Sequence, residues 1–233
     1  KKTHNLYNEL PDFEFESKLD VVSDDPWVML FNLQEKLASL KSNKYDFSFY
    51  PFVECTSRIN YYFKSISPIS NEDAIKLAFK INKFRLVFKS ETKLLKDKYN
   101  YGCLLKRRET KSKWVNFNSY NSKKIIHQIE SRLGSFTKSD YLQRNRLAFW
   151  LLNNSSNRLY RIGVDKCTYS GEIFYQIEIE YEGRSKDYTS KKKDLEKEIS
   201  SELADLTNDV IKILNKKKKI LFHSMKKATF TAL

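Results

Sequence analysis

The stretch Tyr175–Arg184, with the sequence YQIEIEYEGR, alternates polar and apolar residues along its length. Successive side chains of a β-strand point to opposite faces, so this alternation predicts a strand with one charged face and one apolar face. The charged face carries Glu178, Glu180 and Glu182, yet the chain of 233 residues has a formal net charge of +14. A basic protein therefore holds a row of acids on one side of a strand.

Five further segments predict strands, because β-branched or aromatic residues alternate in them with polar residues. They are Asp12–Leu19, Ser57–Ser65, Phe84–Glu91, Cys103–Thr110 and Leu159–Ser170. The charged residues on their polar faces are Glu14, Glu16 and Lys18; Arg58 and Lys64; Arg85, Lys89 and Glu91; Lys106 and Arg108; and Arg161 and Asp165. A solvated polar face explains any single strand, but six charged faces together favour a sheet that encloses a polar interior.

Segments with apolar residues every three or four positions predict helices that cover the outside of the sheet. They are Pro26–Leu40, Asn71–Lys80, Ser122–Leu133, Asp140–Leu152 and a long helix over Thr189–Lys217. Trp27, Trp114 and Trp150 are predicted to lie in the core. The sequence thus predicts an α+β fold.

The composition limits the kinds of partner and the cellular compartments that fit this protein. Lys and Arg outnumber Asp and Glu by 43 to 29, which indicates either solubility or an anionic partner such as nucleic acid, a nucleotide or polyphosphate. No apolar run approaches the roughly 18 residues of a membrane span. The cysteines Cys55, Cys103 and Cys167 are scattered, which predicts a reducing compartment such as the cytoplasm or the nucleus.

The order of these strands resembles the triphosphate tunnel metalloenzymes, and among them the metal-dependent RNA 5′-triphosphatases of mRNA capping in fungi, protists and large DNA viruses. The motifs that carry the resemblance are Glu14-Phe15-Glu16 with Lys18; Arg85 with Glu91; Lys106 with Arg108; Arg161 with Asp165; and Glu178-Ile179-Glu180. The last strand is most similar to the viral capping-enzyme form. The resemblance spans about residues 12–183, and it departs from the family at Gly163, where many relatives carry an acid.

The resemblance implies an antiparallel eight-stranded β-barrel, the triphosphate tunnel, with helices packed outside. It implies Mn²⁺ or Mg²⁺ as the cofactor and removal of the γ-phosphate from the 5′-triphosphate end of nascent mRNA. The implied metal ligands are Glu14, Glu16, Glu178 and Glu180. The implied catalytic residues are Arg85, Lys106, Arg108, Glu91 and Asp165, of which one of the two acids would orient the attacking water. The implied substrate-binding residues are Arg58, Lys64, Arg161, Lys89 and Lys18.

The whole chain, residues 1–233, is predicted to form a single domain with a core at about 12–215. Residues 216–233 are predicted to be a basic tail that leads to a further domain. The expected partners are 5′-triphosphate RNA, or free nucleoside triphosphate, and guanylyltransferase and methyltransferase domains in the same chain or in separate proteins.

Two other functions fit the same residues. The first is another tunnel-enzyme activity: an inorganic triphosphatase, a nucleoside triphosphatase or a polyphosphate polymerase. The second is a noncatalytic basic module that binds RNA. Such modules set aromatic side chains beside their basic residues for base stacking, whereas the aromatic residues of these strands alternate away from the charges. The sequence therefore favours the enzyme.

Overall fold

The fold is built on one large antiparallel sheet. The computed structural model describes residues 6–10, 13–21, 25–40, 43–66, 72–96, 103–185 and 195–215, so the predicted tail at 216–233 lies outside the described residues. The long strands within those ranges are β2 (Phe13–Val21), β4 (Glu54–Ser65), β5 (Glu72–Lys80), β6 (Lys83–Lys96), β7 (Cys103–Lys111), β10 (Leu142–Asn153), β11 (Arg158–Tyr169) and β12 (Glu172–Ser185). The short strands are β1 (Leu6–Tyr7), β3 (Tyr45–Asp46), β8 (Val115–Asn116) and β9 (Phe136–Lys138).

Antiparallel ladders connect the long strands in the order β10–β11–β12–β2–β7–β6–β5–β4. Strand β4 pairs in turn with β10, from Asn60 opposite Leu142 to Glu54 opposite Ala148. Each long strand therefore pairs with two other long strands. The α+β class and the antiparallel sheet that the sequence predicts are confirmed.

The register of the ladders gathers the charged residues on one face, which we call the polar face. Residues that are directly opposite each other on neighbouring strands share a face. Across β10, β11, β12 and β2 the successive rows of the polar face are Arg146–Asp165–Gln176–Asp20, Ala148–Gly163–Glu178–Lys18 and Trp150–Arg161–Glu180–Glu16. The glutamates of the two ExE strands therefore become neighbours.

The opposite face of the sheet is apolar and lies under the helices α1 (Pro26–Leu40), α2 (Ser122–Leu133) and α3 (Leu195–Asn215). Helices α1 and α3 pack on β2, β10, β11 and β12 to form the main core, which includes Phe15, Phe149 and Ile179. Helix α2 packs on β4, β5 and β6. Each fully buried Leu, Ile or Phe contributes about 1.5–3 kcal/mol, so the apolar faces hold the polar face in place. No helix of the described part has the length and apolar character that crossing a membrane requires.

Most of the elements predicted from periodicity are confirmed. All six predicted strands are present, and α1 has the predicted bounds, with Asp25 Oδ1 accepting from the Trp27 backbone N–H at 2.8 Å. The long C-terminal helix is present as α3. The prediction that the tryptophans lie in the core is wrong: Trp27 is 44% exposed, and Trp114 and Trp150 are half-buried and outside the core clusters.

Two predicted helices are strands. In the predicted helix Asn71–Lys80, residues 72–80 form β5, and Asn71 lies outside the described residues; in the predicted helix Asp140–Leu152, residues 142–152 belong to β10. Ala and Lys are good helix formers, but intrinsic propensity is a weak preference that tertiary packing overrides. In β5 the buried Ile75 and Leu77 lie on either side of the half-buried Lys76, as in a strand with one buried face. The apolar face of β10 packs in the main core.

Candidate functional site

Four charged side chains meet near the middle of the polar face, and we call them the central ion cluster: Arg144, Arg146, Asp165 and Glu178. Arg146 donates from Nε to Asp165 Oδ1 at 2.6 Å and from Nη2 to Asp165 Oδ2 at 2.7 Å. Its Nη2 also lies 2.7 Å from Glu178 Oε1. Arg144 Nη1 lies 3.3 Å from Glu178 Oε2, and its Nε lies 3.4 Å from Asp165 Oδ2.

The central ion cluster stays charged because its members stabilise one another. Burial alone would raise the pKa of Glu178, but the charges of Arg146, Lys18 and Arg144 outweigh it and hold the pKa well below its ordinary value. Burial would lower the pKa of Arg146, but Asp165 and Glu178 outweigh it and raise that pKa. The polar face therefore presents fixed charges where water screens them weakly.

Gly163 makes the central ion cluster possible by leaving room for Arg146. A Cβ at this position would lie 3.1 Å from Arg146 Nε and 3.2 Å from its Cδ. Those distances are tighter than ordinary contacts, so a side chain here would displace the guanidinium. The glycine that departs from the family pattern is thus explained, and Asp165 supplies the acid that pairs with Arg146 instead.

A second group of charges surrounds Arg161, which lies four residues before Asp165 on β11. Arg161 pairs with Glu180 through Nη2, and its Nε lies 3.0 Å from Glu182 Oε1. Its Nη1 lies 4.0 Å from Glu54 Oε2. Burial raises the pKa of Glu180; Arg161 opposes this rise, but the charges of Glu182 and Glu178 add to it, and the pKa lies above its ordinary value. Burial is therefore the main reason that the pKa of Glu180 is raised, and the neighbouring acids add to it.

Strand β2 completes the row of acids. Glu16 lies directly opposite Glu180, an arrangement of like charges that is unfavourable without a cation nearby. Lys18 Nζ lies 3.1 Å from Glu16 Oε1 and 3.6 Å from Glu178 Oε2. Glu14 pairs with Lys111. The structure thus places all four predicted metal ligands on the polar face.

The other side of the polar face brings several positive charges together around Arg58. Arg58 is directly opposite Arg144, and its buried Nε has no hydrogen-bond partner among the residues that the structure describes. Burial lowers its pKa, and the charges of Arg146, Arg85 and Arg161 lower it further, while Glu54 opposes them. A bound anion would relieve this repulsion.

The other predicted bases of this side differ in their surroundings. The Arg85 guanidinium lies over the Trp114 ring, 4.5 Å from its centroid. The negative face of the ring stabilises the positive charge of Arg85 there. Lys64 lies near the far end of β4 from Glu54 and is exposed. Arg85 is therefore better placed than Lys64 to meet an anion held by Arg58.

The pairing of β7 with β2 sets Arg107 opposite Glu14, rather than the predicted Lys106 or Arg108. Lys106 is opposite Phe15 and Arg108 is opposite Phe13, whereas Arg107 is opposite Glu14. Both alternating sets of β7 carry charge, so the sequence alone could not tell which set pairs with the glutamates. The side chains of Lys106, Arg108, Lys89 and Glu91 lie outside the described residues, and their roles stay predictions.

Sequence reasoning missed Arg144, Arg146 and Lys111. The first two were hidden because their segment was predicted to be a helix, and Leu142–Arg146 (LQRNR) contains no apolar and polar alternation that would indicate a strand. Lys111 lies one residue beyond the predicted strand end, at the last position of β7.

The donors that could hold a divalent metal are the carboxylates around Glu16 and Glu180. Oxygen donors suit Mg²⁺ and Mn²⁺, and the unfavourable pairing of these two acids fits a cation between β2 and β12. Within the described ranges no three His, Cys, Asp or Glu side chains are already gathered as a metal site. Binding a metal therefore requires glutamates to turn from the bases that they now contact.

Comparison with known proteins gives distant likenesses in fold alone. No protein family and no curated protein sequence matches the chain. A Bacillus halodurans protein whose assignment as an adenylate cyclase is provisional is 14% identical, with a TM-score of 0.42, over 94% of this chain and 98% of that chain. The S. pombe RNA triphosphatase Pct1 is 10% identical, with a TM-score of 0.39, over 93% of this chain and 86% of that chain.

A second structure of Pct1, in complex with the Spt5 CTD, is also similar: it is 11% identical, with a TM-score of 0.38, over 93% of this chain and 85% of that chain. With identities and TM-scores this low, the likenesses assign neither a family nor an activity. Any function must be argued from the side chains of this chain.

Proposed function

We propose that this chain is a metal-dependent RNA 5′-triphosphatase of the triphosphate tunnel type, which removes the γ-phosphate of nascent RNA before capping. The observation that carries the proposal is the division of the polar face into two unbalanced sides. Arg58 is a half-buried base repelled by Arg85, Arg146 and Arg161, and Glu180 is a half-buried acid directly opposite Glu16. A metal bound to a polyphosphate is a ligand that would balance both sides together.

The bases would bind the phosphates. Arginine suits this role because its planar guanidinium donates two parallel hydrogen bonds to phosphate oxygens. Arg58, Arg85 and Arg161 are the first candidates, and Lys18, Lys64 and Lys89 complete the proposed set, whereas Lys106 and Arg108 lie opposite the apolar Phe15 and Phe13. Donors fixed in advance stabilise the charge that develops on the transferred phosphoryl group.

The acids would hold Mn²⁺ or Mg²⁺ through Glu14, Glu16, Glu178 and Glu180. When bound, the metal would supply Lewis-acid stabilisation of a phosphoryl oxygen. Asp165 has both oxygens bonded to Arg146 and is 0% exposed, so we assign it the task of orienting that guanidinium. Of the two acids predicted to orient water, Glu91 is then the one proposed for that role.

Partners and location follow from this activity as proposals. The product, a 5′-diphosphate end, is the substrate of a guanylyltransferase, in the same chain or in a separate protein. The protein would work where capping occurs: in the cytoplasm, at a viral replication site or in the nucleus.

The test is release of ³²P from γ-labelled 5′-triphosphate RNA, with and without Mn²⁺, by wild type and by Glu180→Gln. We expect metal-dependent release that falls at least about 100-fold in the variant, because the change removes a metal ligand. Glu130→Gln, on the exposed side of α2, is the matched control and should retain activity. Equal activity of wild type and Glu180→Gln would contradict the metal site. Release from inorganic triphosphate alone would favour the inorganic triphosphatase, and binding of RNA without release would favour the noncatalytic module.

A further inference from the structure

Three aromatic side chains lie together where β10 reaches Trp150, and we call them the aromatic rim: Tyr50, Phe52 and Trp150. The ring centroids of Phe52 and Tyr50 lie 5.3 Å and 5.8 Å from that of Trp150. Phe52 remains 54% exposed despite these contacts. An aromatic cluster that keeps so large an apolar surface in water has room for another flat group.

The aromatic rim belongs to the polar face. Trp150 is directly opposite Arg161, which is directly opposite Glu180. Its chain neighbours Phe149 and Leu151 lie in the main core on the other face. Neighbouring strands are spaced by about 4.8 Å, so β10 at Trp150 lies about 10 Å from β12 at Glu180. The rim is thus two strands away from the acids proposed to hold the metal.

The opposite end of the polar face differs in character. The buried side chains there are Tyr62, Leu142 and Cys167, with Tyr169 and Phe174 packed against them. Along β10 the order is therefore apolar at Leu142, basic at Arg144 and Arg146, and aromatic at Trp150. Arg161, one of the first candidates for binding phosphate, is directly opposite Trp150, so a phosphate chain bound at Arg161 has the rim beside it.

We propose that the aromatic rim stacks on the nucleobase of the 5′-terminal nucleotide, so that the chain prefers triphosphates carried on a nucleotide to inorganic triphosphate. This inference rests on the proposed function and adds a base-binding subsite to it. Every base has a flat π-face, so stacking distinguishes a nucleotide from inorganic triphosphate without selecting among bases. The rim also supplies the aromatic groups beside basic residues that the strand pattern alone does not contain.

The test compares Phe52→Ala with Phe31→Ala in hydrolysis of GTP, short 5′-triphosphate RNA and inorganic triphosphate. Phe31 is a matched control because it is 51% exposed and its ring centroid lies 5.9 Å from that of Trp27, on α1 and away from the polar face. We expect Phe52→Ala to raise KM for GTP and RNA about 10-fold, with kcat changed less, since base stacking on aromatic groups is of this size. KM for inorganic triphosphate should stay within about twofold, and Phe31→Ala should change none of these values.

A loss of the same size on all three substrates would overturn the inference, since it would mean that Phe52 acts only through the fold. An unchanged KM for GTP and RNA would overturn it as well. Trp150→Phe, which keeps an aromatic ring, should retain at least half of the preference, whereas Trp150→Ala should lose it.

If wild type hydrolyses none of the substrates, the proposed function fails and binding decides the inference separately. Calorimetric titration with GTP would support the rim if Phe52→Ala binds about 10-fold more weakly than Phe31→Ala. Equal binding by the two variants, or no binding by either, would overturn it.

Discussion

Two buried groups of ions lie on opposite faces of the same sheet and differ in how completely their charges are matched. On the helix side, Glu9, Arg158, Arg184, Glu198 and Glu202 form what we call the α3 anchor. Arg158 donates to Glu9 at 2.8 Å, to Glu198 at 2.6 Å and to Glu202 at 2.5 Å. The anchor ties the segment before β2 and the strands β11 and β12 to helix α3.

The acids of the α3 anchor are also fully engaged. Glu9 accepts from Arg184 and from the Tyr181 hydroxyl, each at 2.8 Å. Glu202 accepts from the Tyr160 hydroxyl at 3.0 Å and from Ser156 at 2.8 Å. A network satisfied in this way specifies structure and offers little to a ligand.

On the polar face the matching is incomplete. The Arg58 Nε has no hydrogen-bond partner within the described part of the chain, and Glu16 is directly opposite Glu180. Buried charge alone therefore does not indicate a binding site. The feature that marks one is charge that the protein has buried but left unbalanced.

The largest expected effect is on the α3 anchor. Arg158→Met should lower the free energy of unfolding by about 3–5 kcal/mol, because it leaves the buried carboxylate of Glu9 and the half-buried carboxylate of Glu202 without their shared partner. Urea unfolding followed by circular dichroism measures the change. Lys197→Met, at an exposed position of α3, is the control and should change stability by less than about 0.5 kcal/mol. A loss below about 1 kcal/mol in Arg158→Met would show that the anchor is not structural.

The corresponding substitution on the polar face should reduce activity without reducing stability. Arg58→Met should reduce triphosphate hydrolysis about 100-fold without lowering the free energy of unfolding, since it removes a base that its neighbours repel. Initial rates and urea unfolding of the same protein sample check both parts. If the variant were as destabilised as Arg158→Met, the distinction between the two groups would fail.

A smaller effect is expected where the central ion cluster is packed most tightly. Gly163→Ala places a Cβ 3.1 Å from Arg146 Nε, and such overpacking costs about 1–3 kcal/mol. The shifted guanidinium should also lower the hydrolysis rate about 10-fold. Unchanged stability and rate would mean that Arg146 can move aside without consequence.

The smallest effect concerns acid pH. Burial would raise the pKa of Glu9, but Arg158, Tyr181 and Arg184 outweigh it, so the folded-state pKa lies below the ordinary value of 4.5. Glu9 therefore stabilises the fold fully above about pH 5, and this stabilisation is lost as the pH falls from there through the folded-state pKa. Stability measured between about pH 5 and pH 3 should fall less steeply in Glu9→Gln than in wild type. Equal slopes would contradict the assignment.

The sequence predicts the row of glutamates well because the period of two is unambiguous in Glu178-Ile179-Glu180 and in Glu14-Phe15-Glu16. Helix α1 is equally clear from its apolar spacing. Strand β10 was missed because Leu147–Leu152 (LAFWLL) is an unbroken apolar run, which does not distinguish a helix from a strand.

Other parts of the site depend on distant pairing that no local pattern contains. The contact of Tyr50 and Phe52 with Trp150 joins residues about 100 positions apart. The repulsion of Arg58 by Arg146 depends on the pairing of β4 with β10, which joins residues far apart in the sequence. In β7, charge on both alternating sets left the alignment of Arg107 with Glu14 undecided until the register was known.

The most direct measurement is calorimetric titration of inorganic triphosphate into wild type and Arg58→Met in the presence of Mn²⁺, with Lys197→Met as the control. Our account predicts one triphosphate bound per chain of wild type and of the control, and binding at least about 10-fold weaker in Arg58→Met. Equal affinity of wild type and Arg58→Met, or no binding to folded wild type, would contradict the claim that unbalanced charge on the polar face receives the phosphates.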